Sequence, residues 1–401
     1  MKNLQTLKGF RDFLPEEALK RQWLKNKIAK ICELWGYDPM ETPTLEPLEI
    51  FKGQVGDDEK LFYSFKDQGG RDVALRYDQT IPTCRVVGQY NGVMLMPFRR
   101  YQIQSAFRSE KPQKGRYREF LQVDADIFGV ATPLADAETM ALSLDIYRKL
   151  GFKKAVVLIN DRSLLADLPY EAISAIDKLK KIGKEGVISE MEKRGIAKSK
   201  ALEYFNIVLS LKPNKTIEFI LNYLKEYGFE KDWYKFDPTI ARSFSYSTGP
   251  IWEIEIPDSS GGSVLGGERY DKVVQNISGV NVPGTGFGLG FDRTLEALEE
   301  FNLIPKLKTA SKALVTIFTP ETVDESINVS KTLRESGINT ELYPNETVRL
   351  DKQLKYADKK GIPYVIIIGP EEVKDKKILL KNLKTGEQIK TNIENLISLL
   401  K

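Results

Sequence analysis

Leu19, Trp23, Leu24, Ile28, Ile31 and Leu34 recur at helical spacing behind Pro15, and Gly36 follows them, so residues 15–35 predict an amphipathic helix. From there to about residue 130, short strand-like stretches alternate with turns. Residues 132–150 predict a second helix and 154–159 an apolar strand. Between about 165 and 230 the chain turns Lys/Glu-rich and keeps a helical period through Ile173, Ile176, Leu179 and Ile182. Glycines break this stretch, which reads as an inserted helical module. Strands return at 240–265, then a glycine-rich run and a helix at 292–302. Beyond a polar linker at 306–312, strand-like LVTIF, a helix at 321–336, a strand near 340, a helix at 350–360, strand YVIII and a last helix alternate. That order predicts a small α/β domain with a largely parallel sheet. The expected division is 1–305, a linker at 306–312, and 313–401.

Composition removes whole classes of chemistry. The 401 residues hold two cysteines, Cys32 and Cys84, without metal-like spacing, and no histidine. Catalytic triads, Cys-His pairs, HExxH zinc sites and zinc fingers are thereby excluded. What chemistry remains rests on arginine, lysine, carboxylates, backbone groups and substrate-bound Mg²⁺. The net charge of +4 permits a nucleic-acid partner through a local patch without demanding one. Apolar runs such as Tyr364 to Ile368 are strand-sized, which argues against a membrane span. The N-terminal segment reaches Gly9-Phe10-Arg11-Asp12 almost at once, leaving no room for a signal peptide, so the cytoplasm is the expected location.

Candidate chemistry concentrates in Tyr101–Gly129, YQIQSAFRSEKPQKGRYREFLQVDADIFG. At a period of two, Gln102, Gln104, Ala106 and Arg108 share one face, and Gln122, Asp124 and Asp126 share another. The connection is basic, with Pro112 and Gly115 as turn residues. A solvated hairpin would alternate in the same way. Amides and aspartates are poor strand formers, however, and a basic loop suits phosphates or tRNA. The same parity aligns Arg76, Asp78 and Thr80 in LRYDQT, and Arg242 with Tyr246 in ARSFSYSTGPIWEIEI. The run PGTGFGLGFDR lacks both the GxGxxG spacing and the P-loop lysine, and its glycines allow close approach to the backbone. Arg293 starts a helix against the dipole preference, as a phosphate clamp or an ion-paired surface residue.

These residues resemble a known family. FRSEKPQKGRYREFLQ is similar to motif 2 of the class II aminoacyl-tRNA synthetases, in the form found in histidyl-tRNA synthetases. GFRDFLPEE resembles that family's N-terminal signature, GYDPMETPTLEP its motif 1 with Pro43, and GFGLGFDRTLEAL its motif 3. The stretch KQLKYADKKGIPYVIIIG resembles its anticodon-binding domain, so the likeness covers nearly the whole chain. The resemblance implies an α+β fold: a class II catalytic domain on an antiparallel sheet with a helical insertion, a C-terminal α/β anticodon-binding domain, and a homodimer. It implies a ligase that activates L-histidine with ATP and Mg²⁺ and transfers it to tRNA(His), with no protein side chain assigned to a metal.

Roles follow by position. Arg108 would bind the α-phosphate and the amino-acid carboxylate, Glu110 adenine, and Arg116 with Arg293 the outer phosphates. Asp78, Thr80 and Gln122 would receive the α-ammonium group, Asp126 the imidazole, and Tyr246 and Tyr270 would belong to the histidine pocket. Arg242 would stabilise charge as the carboxylate attacks phosphorus, and Gln113 and Lys114 would meet tRNA.

The chain also departs from the family. Arg-Gly-Leu-Asp-Tyr-Tyr becomes Arg242-Ser243-Phe244-Ser245-Tyr246-Ser247, and GGERYD carries Glu268 where glycine is usual. Asp126 stands where many bacterial members have glutamate, and LRYDQT is closer to the archaeal and eukaryotic form than LRPEGT. Either Ser247 vacates a tyrosine hydroxyl's contact, or the pocket is rebuilt around Phe244, Tyr246 and Tyr270. Two non-catalytic readings compete: a regulatory paralogue that pairs with ATP phosphoribosyltransferase, and a tRNA-binding sensor. The C-terminal domain and intact motif 2 argue against the first, and Arg108, Arg242 and Arg293 against the second.

Overall fold

The computed structural model describes residues 4–54, 56–112, 115–242, 246–306 and 308–401. Two compact units divide the chain: one runs to Asp12 and resumes over Leu24–Ile304, and the other holds Phe13–Trp23 and Pro305–Lys401. Helix α1 (Pro15–Leu34) forms where the apolar spacing predicts it, and Gly36 leaves it at φ +73°. Leu24, Ile28 and Ile31 are buried, whereas Leu34 is exposed.

The first unit is built on an eight-stranded sheet. Strand β1 (Asp38–Pro39) lies at one edge. Strands β2 (Leu45–Pro47), β3 (Ser64–Lys66) and β4 (Asp72–Leu75) form a separate three-stranded sheet. Helix α2 (Thr80–Gln89) follows, then the long hairpin β5 (Phe98–Phe107) and β6 (Glu119–Phe128), then helix α3 (Pro133–Leu150) and β7 (Val156–Asp161). Helices α4 (Tyr170–Ile176), α5 (Leu179–Lys193), α6 (Lys198–Ser210) and α7 (Lys215–Glu226) make the expected helical insertion, with α5 interrupted at Gly183, φ +69°. The α4–α6 part has its own core around Ile173, Ile176, Val187, Met191 and Phe205. Strands β8 (Tyr234–Phe236), β9 (Pro250–Glu255) and β10 (Ser263–Arg269), helix α8 (Val273–Ser278), strand β11 (Gly284–Gly290) and helix α9 (Phe291–Glu300) complete the unit.

The sheet order is β1-β5-β6-β11-β10-β9-β7-β8. Only the edge pairs β1/β5 and β7/β8 are parallel. One face is apolar: Val123, Ala125, Ile127, Leu265, Trp252 and Leu289 are buried in it, and α3 packs against β6, β9, β10 and β11. The other face is polar at its centre, with α2 and α8 packed together through Ile81, Cys84, Val87, Val273 and Val274.

The second unit carries the sheet β13-β12-β14-β15-β16, built from β12 (Ala313–Val315), β13 (Thr340–Leu342), β14 (Tyr364–Ile367), β15 (Ile378–Asn382) and β16 (Gln388–Thr391). Helices α10 (Val323–Glu335), α11 (Leu350–Lys360), α12 (Pro370–Asp375) and α13 (Ile393–Leu400) accompany it. Strands β12, β13 and β14 are parallel as expected. The largely parallel expectation fails beyond them, because β15 and β16 add an antiparallel hairpin closed around Gly386, φ +79°.

Candidate active site

Register builds the site. Across β5 and β6, Arg100 pairs with Asp126, Gln102 with Asp124 and Gln104 with Gln122, so the period-two reading of this hairpin gives one continuous polar face. On β6 and β11, Asp126, Asp124 and Gln122 stand opposite Gly286, Gly288 and Gly290. On β11 and β10, Gly286 and Gly288 stand opposite Glu268 and Gly266. Three glycines in alternate positions thus leave a bare strip in the middle of a charged face. Neighbouring side chains lie over it. A Cβ on Gly286 would strike the Asp126 carboxylate, and one on Gly266 the Arg242 guanidinium, while one on Gly288 would meet Gln122 Nε2 at 3.0 Å.

Above this strip opens a cavity of about 510 Å³, lined by Asp78, Thr80, Arg108, Glu110, Arg116, Gln122, Asp126, Arg242, Tyr246, Tyr270 and Arg293 together. Gln113 and Lys114, and Ser243, Phe244 and Ser245, lie outside the described residues. The strip orders the charges. Asp126 and Glu268 flank Gly286, Arg242 lies over Gly266 level with Gly288, and Arg293 packs beside Gly290. Four strand residues from Gly286 to Gly290 span about 13 Å. Asp126 and Glu268 therefore stand at one end, with Arg100 paired to Asp126, and Arg293 at the other. Arg242 lies between, with Glu253 opposite Gly266, and Glu110 pairs with Arg116 on the cavity wall.

Arg108 is held flat. Its Nε donates to the Tyr77 carbonyl at 3.3 Å, and its guanidinium lies 4.2 Å from the Tyr77 ring centre and 5.0 Å from that of Phe120. Arg293 Nη1 donates to the Ser263 carbonyl at 2.7 Å. Burial, then the charge of Arg116, hold the Arg293 pKa below its ordinary value. Guanidinium groups that repel one another across a cavity make a site waiting for an anion. The helix-dipole objection to Arg293 is met next door: Asp292 occupies the first turn of α9 and pairs with Arg11 at 2.8 Å. Arg242 takes φ +45°, a left-handed conformation costing about 1–3 kcal/mol in a non-glycine residue. Its Nε and Nη2 donate to Glu268 Oε1 at 3.2 and 3.0 Å. Burial lowers the Arg242 pKa, but the charges led by Glu268 outweigh burial and raise it.

At the acidic end, Asp78 accepts the Ile81 amide at the start of α2, 3.2 Å away, and burial pushes its pKa up to about 6. Asp126 accepts the Tyr270 hydroxyl and pairs with Arg100 at 2.5 Å, while burial pushes its carboxyl up.

Sequence reasoning missed three residues. Arg100 is fully buried beside Asp126 on the neighbouring strand, and the same parity that selected Gln102 and Gln104 would have found it one step earlier. Gln79 ties α2 to the hairpin by donating to the Gln104 and Gln122 carbonyls, each at 2.9 Å. Glu268 stood out as a departure, but its partners Arg242 and Ser247 were not legible. One alignment fails. Arg76 does not line the cavity with Asp78 and Thr80, because β4 ends at Leu75 and the chain turns into α2. The Arg76 guanidinium instead donates to the Thr42 carbonyl and Gln104 Oε1, both at 2.8 Å.

An antiparallel sheet that holds an arginine-walled cavity on one face, beside a long basic hairpin, has the fold of a class II aminoacyl-tRNA synthetase. Residues 9–185 and 200–294 match the histidyl-tRNA synthetase family, and 312–401 match the anticodon binding domain. The chain belongs to the histidyl-tRNA synthetase family. It is 34% identical to a histidine–tRNA ligase of Cytophaga hutchinsonii over 97% of this chain and 98% of that one. It is 35% identical to one from Helicobacter pylori over 99% and 96% of the two chains. The crystal structure of histidyl-tRNA synthetase from Nostoc sp. PCC 7120 superposes with a TM-score of 0.85 at 26% identity, covering 100% of this chain and 99% of that one. Among the described residues no helix is long and apolar enough to cross a membrane.

Proposed function

We propose that the chain works as a histidine–tRNA ligase, joining L-histidine to ATP as histidyl-adenylate and then passing the histidyl group to tRNA(His). The observation that carries this reading is the order of charge along the glycine strip: carboxylates, then Arg242, then the arginine wall, over about 13 Å. An amino acid bearing an ammonium group suits the first end and a polyphosphate suits the other. Their reacting atoms would then meet near Arg242.

The chemistry needs no general base, because the attacking carboxylate is already ionised. Repulsion and misalignment make the barrier, and fixed cations about an in-line geometry lower it. Arg108, pinned against Tyr77, would hold the α-phosphate and the amino-acid carboxylate. Arg242 would take up charge as the carboxylate oxygen bonds to phosphorus and pyrophosphate leaves. Arg116 and Arg293 would hold the outer phosphates and Glu110 the adenine, while Asp78, Thr80 and Gln122 would receive the ammonium group and Asp126, with Tyr246 and Tyr270 around it, the imidazole. Mg²⁺ would enter with ATP, held mainly by phosphate oxygens, with the carboxylates Glu110 and Glu253 on the same cavity wall. We assign the catalytic domain to 1–305, the linker to 306–312 and the tRNA-gripping domain to 313–401, in a cytoplasmic homodimer, with Gln113 and Lys114 reaching tRNA.

Exchange of label between pyrophosphate and ATP should depend on histidine. Arg108→Ala and Arg242→Ala should each slow it by roughly 10²–10³-fold without unfolding the protein. Lysine should substitute poorly, since it lacks the planar fork. Exchange with another amino acid and none with histidine would overturn the substrate, and wild-type rates in both variants would overturn the site.

A further inference from the structure

We propose that Glu268, oriented by Ser247, is the second acceptor for the amino-acid side chain, so that Asp126 and Glu268 together select histidine in its doubly protonated imidazolium form. The proposal rests on the reading of histidine as substrate. Its basis is the juxtaposition of the two carboxylates. Glu268 and Asp126 face the same side of the sheet from strands that flank β11, with only Gly286 between them. Two strand spacings separate their backbones by about 10 Å. The Asp126 carboxylate leans over Gly286 toward Glu268, so a flat ring reaching both would lie above the strip with a charge-assisted hydrogen bond of about 2.8 Å to each. Nothing larger than glycine could stand at residue 286, because a Cβ there would strike the Asp126 carboxylate.

Glu268 is buried and lines the cavity. Arg242 places two donors on Oε1, and the Ser247 hydroxyl donates to Oε2. A carboxylate has about four acceptor positions, so Oε2 keeps one for a ligand. Ionised carboxylates only accept. A neutral imidazole has one N–H and can satisfy one of them, whereas an imidazolium has two and satisfies both. Burial pushes the Asp126 carboxyl up, and Arg100 and the Tyr270 hydroxyl pull it back toward the ionised form. The cations Arg242 and Arg162 act on Glu268, and the Tyr270 hydroxyl donates to Asp126. Asp78 and the phenol of Tyr246 also face Glu268, while Arg100, Asp124 and the Cys84 thiol face Asp126.

Proton uptake tests this directly. Titration calorimetry of L-histidine into the full-length protein at pH 8, in two buffers of different protonation heat, counts protons bound per histidine. Free imidazole, with a pKa of about 6.5, is almost wholly neutral there. The wild type should take up close to one proton, Glu268→Gln almost none with a roughly tenfold weaker Kd, and Glu268→Asp most of it, because the charge remains. Burial pushes the Asp124 carboxyl up to about 8, so the difference in proton count between the wild type and Glu268→Gln, rather than either count alone, reads Glu268. No uptake by the wild type, or equal uptake by Glu268→Gln, would overturn the proposal. So would a Glu268→Gln enzyme that loses adenylation rate while its proton count stays at one, since Glu268 would then only position Arg242. A wild type that binds another amino acid in place of histidine would instead sink the substrate reading.

Discussion

Ser247 and Glu268 depart from the family's usual tyrosine and glycine, and the two departures occupy one another's space. The small hydroxyl of Ser247 donates to a carboxylate that a tyrosine ring would displace, and Glu268 in turn balances Arg242 in its left-handed conformation. Ser247→Tyr alone should therefore raise the KM for histidine, since overpacking a buried site costs roughly 1–3 kcal/mol, and leave that for ATP nearly unchanged. Glu268→Gly in the same chain should recover much of the loss. Histidine titrations of pyrophosphate exchange on the two single variants and the double decide it: additive losses would mean that the residues do not share space. Legibility at this scale followed sequence distance. Gln122 and Asp126 could be read from parity within one hairpin. The partners of Glu268 lie in a segment 21 to 26 residues away, which no local period connects to β10.

Strand β11 shows the same boundary among elements. Its alternating glycines announced close approach to the backbone, but only the register shows what approaches: Asp126 over Gly286 and Gln122 over Gly288. The two positions should respond differently. Gly286→Ala sets a methyl against a carboxylate with Ala125 carbonyl close by, whereas at Gly288 the nearest group is an amide end at 3.0 Å that can yield. Gly286→Ala should raise the histidine KM at least tenfold and lower the melting temperature, with Gly288→Ala the milder on both measures. The reverse order would show the strip to be wrongly aligned. Helices α1 and α3 and the insertion were legible because each repeats its apolar spacing over several turns. Helix α2 was not, because TIPTCRVVGQ is short and rich in β-branched residues. Burial of Ile81, Cys84 and Val87 and the Asp78 carboxylate at its start hold it helical, and the strand-parity alignment of Arg76 failed for that reason.

For the whole molecule, an absent residue type has a consequence of its own. A chain of 401 residues without histidine can be translated when no histidyl-tRNA is available. The proposed chemistry permits this, since arginines and an ionised nucleophile replace every task an imidazole would perform. The buried polar positions are filled likewise: Asp136 pairs with Arg269, and Arg100 with Asp126, without a histidine in either pair. Such an enzyme can restart its own pathway. In a reconstituted translation system supplied with free histidine, uncharged tRNA(His) and no histidyl-tRNA synthetase, a template for this chain should yield full-length protein. A histidine-containing reporter should follow after a lag as the tRNA becomes charged. Replacing a few exposed lysines, such as Lys200 and Lys331, with histidine should leave the purified enzyme's exchange rate unchanged but abolish this restart. Adding a trace of the wild-type protein should restore it. A reporter that never appears with the wild-type template would mean that the newly made chain does not charge tRNA(His), and one that appears equally with the histidine-bearing template would remove the link between composition and restart.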